Sequence, residues 1–151
     1  MRRVFALLAT LLVLVVVAQF FLAASGAFDT APNDESFQAH RALGYGTVLF
    51  ALLLTIVAAL ARMPGRLVGM TGLVAGLGAG QGLIRAVAAA FNDTGGTTTA
   101  GNLVFGLHAI NALAILAVAG TVARRARALS RSVVAGRPAD AGVFEPARPA
   151  S

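Results

Sequence analysis

The sequence predicts an all-α membrane protein: a four-transmembrane-helix bundle, up-down-up-down, with both termini in the cytoplasm. Three observations predict it. The chain is 58% hydrophobic and only 12% charged, about half the charge of a soluble domain. Its apolar residues fall into four runs, each long enough to cross ~30 Å of hydrocarbon at ~1.5 Å per residue. The links between the runs alternate in charge. Arg2 and Arg3, then Arg62 and Arg66, then the arginines from Arg124 to Arg148 fall on one side, and Asp29, Asp34, Glu35 and Asp93 on the other. The positive-inside rule assigns the arginine side to the cytoplasm.

The first run follows Met1-Arg2-Arg3 and spans about 4–24, apolar except for Thr10 and Gln19. Positive residues before an apolar run also describe a signal peptide, but a signal's apolar region is ~7–15 residues, shorter than this one. An uncleaved first helix is expected. Pro32-Asn33-Asp34-Glu35-Ser36 then reads as a helix start, because carboxylates favour the positive end of a helix dipole. The second helix is expected over about 38–62 and ends at Arg62-Met63-Pro64-Gly65-Arg66.

The third helix, about 67–90, carries Gly72, Gly76 and Gly80 four residues apart, a spacing that lets backbones pack closely in lipid. It is no dinucleotide fingerprint, since the third glycine of that motif is missing and no strand precedes it. The fourth helix is expected over about 103–123. Residues 128–151, rich in Ala and Pro, read as a disordered cytoplasmic tail. The domain proper is therefore 1–127.

All 12 basic residues are arginine and there is no cysteine. Lysine Schiff bases, Walker lysines, thiolate nucleophiles and disulfides are excluded. The net charge of +6 collects at the membrane edges, which argues against nucleic acid as a partner.

Polar side chains inside a membrane are functional candidates. Here they are Gln19, His40, Arg41, Gln81, Arg85, His108 and Asn111. Counted from the arginines at ~1.5 Å per residue, Gln19 lies ~24 Å from Arg3, Gln81 ~22 Å from Arg66 and His108 ~24 Å from Arg124. Gln19, Gln81 and His108, with Asn111 slightly deeper, are expected to form a structural polar layer in the outer half of the membrane. His40 and Arg41 lie ~31–33 Å from Arg62, and Arg85 ~28 Å from Arg66. With Asp34 and Glu35, Arg41 and Arg85 are expected to supply charge at the outer interface.

A second reading of the histidines is haem. Two neutral imidazoles on different helices of a bundle can ligate a b-type haem axially. Both sites share a local pattern, Phe37-x-x-His40 and Phe105-x-x-His108. His40-Arg41-x-x-Gly44 resembles the His-Arg-x-x-Gly openings of b-type haem membrane proteins, in which the glycine makes room for the porphyrin and the arginine meets a propionate. The depth count weighs against this, because it separates the two histidines by ~9 Å on straight helices.

The chain to about Arg127 resembles an uncharacterised family of small bacterial four-helix integral membrane proteins. Gln19-Phe20-Phe21-Leu22-Ala23, His40-Arg41-Ala42-Leu43-Gly44-Tyr45, Ala61-Arg62-Met63-Pro64-Gly65-Arg66 and Phe105-Gly106-Leu107-His108-Ala109-Ile110-Asn111 carry the resemblance. It implies the bacterial cytoplasmic membrane and the same topology, and it brings no activity. The first expectation for function is thus a non-catalytic accessory or scaffold bundle without cofactor. It would act in the lipid bilayer through contacts with a membrane partner or as a homo-oligomer. No catalytic constellation or metal site is seen. The alternatives are a haem b electron-transfer bundle ligated by His40 and His108, and a small transporter or lipid-binding subunit.

Overall fold

A computed structural model describes residues 1–92 and 96–135. Asp93 and the stretch from 136 to 151, assigned above to a loop and to the tail, lie outside the described residues. Five helices follow in order: α1 (Arg2–Ala27), α2 (Asn33–Ser36), α3 (Gln38–Leu60), α4 (Gly65–Ala90) and α5 (Thr99–Ala135). The short α2 covers the Asn33-Asp34-Glu35-Ser36 helix start. The other four are each long and apolar enough to cross a membrane.

The four long helices form a closed ring. α1 packs on α3 and α5, and α4 packs on α3 and α5. α3 and α5 therefore face each other diagonally across the interior. Contacts along α3 and α4 run in opposite senses, with Gly72 against Thr55 and Gly78 against Val48.

One core runs through the ring, in which alanines alternate with a few bulky side chains such as Phe5, Leu12 and Leu54. Ala9, Ala58, Ala119 and Ala123 are fully buried, while Leu7, Phe21, Leu60 and Leu113 are largely exposed on the outside. In water this would be inverted. In lipid the acyl chains solvate the bulky side chains, and small residues inside let backbones approach. Buried positions on α1 are Phe5, Ala6, Ala9, Leu12 and Val16, spaced at three and four residues as one face of a helix requires.

Threonines inside the bundle satisfy themselves locally. Thr71 is fully buried and its hydroxyl donates to the carbonyl of Val68 at 2.9 Å and that of Leu67 at 3.1 Å. Thr47 and Thr55 donate to the carbonyls of Leu43 and Ala51, each at 2.7 Å. Such back-bonding leaves no bare hydroxyl in hydrocarbon.

The α3–α4 turn is closed by Arg62 in the left-handed region, φ 49°. The Met63 N–H reaches the Ala58 carbonyl at 2.9 Å and the Arg62 N–H the Ala59 carbonyl at 3.0 Å. This crossed pair ends a helix in a Schellman motif, and the buried Met63 supplies its apolar contact. α5 begins on a Thr98 cap, whose hydroxyl oxygen accepts the Gly101 N–H at 3.0 Å.

Two sequence expectations are corrected. On α4 the tightest glycine approach is at Gly78, where an added Cβ would sit 2.9 Å from Val48; of the four-residue stripe, Gly72 and Gly80 meet Thr55 at 3.7 Å and Asn111 at 3.9 Å, while Gly76 faces open space. The fourth long helix continues to Ala135, so residues 128–135 are helical and belong to the bundle's last element, not to the tail. Falling hydropathy marks the end of the lipid-facing run, but Ala, Arg and Leu after it are strong helix formers.

Candidate functional site

Away from the chain's N-terminal end, the four long helices enclose a cavity of about 210 Å³. Most of its wall is carbon: Val16, Phe20, Val48, Val74, Ala112 and Ile115 among others. The polar groups on it come from all four helices: Gln19 from α1, His40 and Thr47 from α3, Gln81 from α4 and His108 from α5. An apolar cleft with a few convergent polar groups is the usual form of a small-molecule site.

The histidines meet across the diagonal. Their ring centroids are 6.2 Å apart and the ring planes are inclined at 52°. The ~9 Å difference in height expected by counting along straight helices is thereby corrected.

Each imidazole is braced. The His40 Nδ1 lies 3.1 Å from the Gln19 main-chain oxygen. A carbonyl only accepts, so Nδ1 carries the proton and Nε2 of the neutral ring keeps a free lone pair. This is how a ligating histidine is oriented. Phe37 stands edge-on to His40 at 6.3 Å, and Phe105 stacks on His108 at 5.3 Å. Both Phe-x-x-His patterns are thus real contacts, because residues three apart share a helix face.

Glutamines tie the same layer together. Gln81 Nε2 donates to the His108 carbonyl at 3.0 Å, and Gln19 Nε2 to the Thr47 hydroxyl at 3.4 Å. Asn111 Nδ2 donates to the Leu77 carbonyl at 2.8 Å, joining α5 to α4 beside the cavity. Asn111→Ala is expected to destabilise the bundle by about 0.6–1.7 kcal/mol, the range of single interhelical hydrogen bonds in membranes. Reversible unfolding in mixed micelles measures it, and no loss would make the bond incidental.

Three buried polar atoms have no hydrogen-bond partner among the described residues: Gln19 Oε1, Gln81 Oε1 and His108 Nδ1. All three residues line this one cavity. Each bare polar atom costs about 1–3 kcal/mol, more than chance placement tolerates. The three unpartnered atoms thus gather at one cavity.

The outer charges form a separate group. The Arg41 guanidinium lies 3.6 Å from the Asp34 carboxylate and also donates to the carbonyls of Asp34 and Asn33, so it pins α2 onto α3. Glu35 and Arg85 are exposed and join no ion pair among the described residues. Sequence reasoning missed Thr47 as the partner of Gln19, although Thr47 shares a face with His40 seven residues before it. It also missed Gly78, which brings Val48 up to the cavity wall.

No group of three or more His, Cys, Asp or Glu side chains converges among the described residues. Two imidazoles are too few to hold a bare metal ion by themselves.

No curated protein and no solved structure matches the chain. A family description does match, over residues 19–95, which include Gln19, His40 and Gln81 and stop short of His108. The chain belongs to that family, a family of unknown function (DUF6220).

Proposed function

We propose that the protein is a multi-pass protein of the bacterial cytoplasmic membrane, with both termini inside, that holds a b-type haem between His40 and His108. The observation that carries this reading is the diagonal histidine pair. The two rings would hold the iron of a b-type haem between them, each through one imidazole nitrogen. The observed centroid separation is 6.2 Å.

The surrounding residues fit the same group. Gly44 lines the cavity, and an added Cβ there would meet only the Gln19 Nε2 at 3.4 Å. A porphyrin is larger than 210 Å³, so the side chains of Gln19 and Gln81 must swing aside; each is held by one side-chain hydrogen bond. A haem in this position supplies one-electron transfer through its iron. The protein's part is to hold it, orient both imidazoles and keep water out.

A second reading is the accessory or scaffold bundle, in which the layer is structural. It is favoured by the bonds from Gln81 and Asn111, both of which lock α4 to α5 through main-chain carbonyls. One experiment separates the two. Full-length protein purified in mild detergent from haem-replete cells should show a Soret band that shifts on reduction. His40→Ala and His108→Ala should each abolish it. A colourless, folded wild type would reject haem and leave the scaffold, for which crosslinking in native membranes should trap a partner or a second copy.

A further inference from the structure

At the opposite end of the bundle, α1 and α5 flank a groove of about 570 Å³. Arg3 on α1 and Arg127 and Arg131 on α5 line it, together with Thr10, Ser130 and the apolar Leu7. The Arg127 Nε–H is used by the Ala123 carbonyl at 3.3 Å, which leaves both Nη groups for another partner. Among the described residues the only ion pair is Arg41–Asp34, far away at the other end. Three arginines therefore line one groove, and among the described residues no carboxylate pairs with them.

Like charges repel, and more strongly near hydrocarbon than in water. The arrangement is favourable when an anion lies among them. Guanidinium forks match phosphate oxygens in pairs, and the hydroxyls of Thr10 and Ser130 can add donors. The height of the groove decides what carries the phosphate. Arg3 directly precedes the apolar run of α1, and Arg131 ends the apolar span of α5. Leu7, one turn further along α1, is 71% exposed and presents an apolar wall toward the bilayer. Phosphate above an alkyl wall at a membrane edge is the chemistry of a phospholipid.

We propose that the α1–α5 groove binds the headgroup of an anionic phospholipid, its phosphate held by Arg3, Arg127 and Arg131. The site needs the helices to span a bilayer and is independent of haem. Full-length protein in a non-ionic detergent is titrated with phosphatidylglycerol, and the thermal midpoint is followed. A saturable rise is expected, absent with phosphatidylcholine and with inorganic phosphate alone. Each guanidinium removed should weaken binding about fivefold, so Arg3→Gln with Arg131→Gln shifts the titration about 25-fold. Arg66→Gln with Arg124→Gln removes the same charge outside the groove and should leave the titration unchanged. Equal weakening by both pairs would reduce the effect to diffuse charge and overturn the site. So would a rise with inorganic phosphate alone, or no saturable rise. Should the double variant fail to fold in phosphatidylcholine, Arg131→Gln alone reads the expected fivefold shift.

Discussion

Leu54→Ala is expected to lower the unfolding free energy of the bundle by about 2–5 kcal/mol, and Leu53→Ala by no more than about 0.5 kcal/mol. The two leucines are adjacent on α3, yet Leu54 is 1% exposed and Leu53 is 51% exposed. In a membrane the difference cannot come from water. Both side chains leave hydrocarbon-like surroundings for hydrocarbon-like surroundings when the helices separate. What differs is packing density. Leu54 is surrounded by protein atoms, so its truncation leaves a void whose lining loses dispersion contacts outright. Leu53 meets acyl chains, which flow into the space a shorter side chain leaves. Unfolding in mixed micelles by increasing sodium dodecyl sulfate reads both variants on one scale. Equal losses would mean that α3 presents a different face to the interior. The membrane reading of the fold would then lose its inside-out packing rule.

Much of this rule was legible in the residues. The runs of Leu and Val, and the arginines at their ends, specify four helices and their lengths almost without help from tertiary structure. Burial of Ala58 and exposure of Leu60 follow from the same logic once lipid is the solvent. The far end of α5 was not legible, because hydropathy reports where lipid ends and not where the helix ends. Gln19, Gln81 and His108 could be gathered at one level by counting residues, but their partners could not. Gln19 meets Thr47 and its carbonyl holds His40, while Gln81 reaches the main chain of His108. These pairings depend on which helices are ring neighbours and which are diagonal. No period in the sequence contains that information, since each helix presents a plausible small or polar face on its own.

Gly44→Leu is expected to abolish the Soret absorbance with both histidines intact, while Gly44→Ala keeps most of it. Gly44 follows His40 by one helical turn, so both residues face the cavity. An added Cβ there meets only the Gln19 Nε2 at 3.4 Å, a contact that a flexible side chain can relieve. A methyl group is thus accommodated. The remaining carbons of a leucine have nowhere to go but the cavity itself, and they occupy the space beside the imidazoles. Filling an internal void without displacing backbone commonly stabilises a protein by about 0.5–2 kcal/mol. Gly44→Leu should then unfold no earlier than the haem-free wild type while losing at least tenfold in bound haem, read as absorbance per mole of protein. This combination separates a steric block from general damage, which His40→Ala cannot do, because that variant removes a ligand and a brace together. A Gly44→Leu protein with undiminished absorbance would move any haem out of this cavity. In that event the histidine pair would keep only its role in tying α3 and α5 to their neighbours.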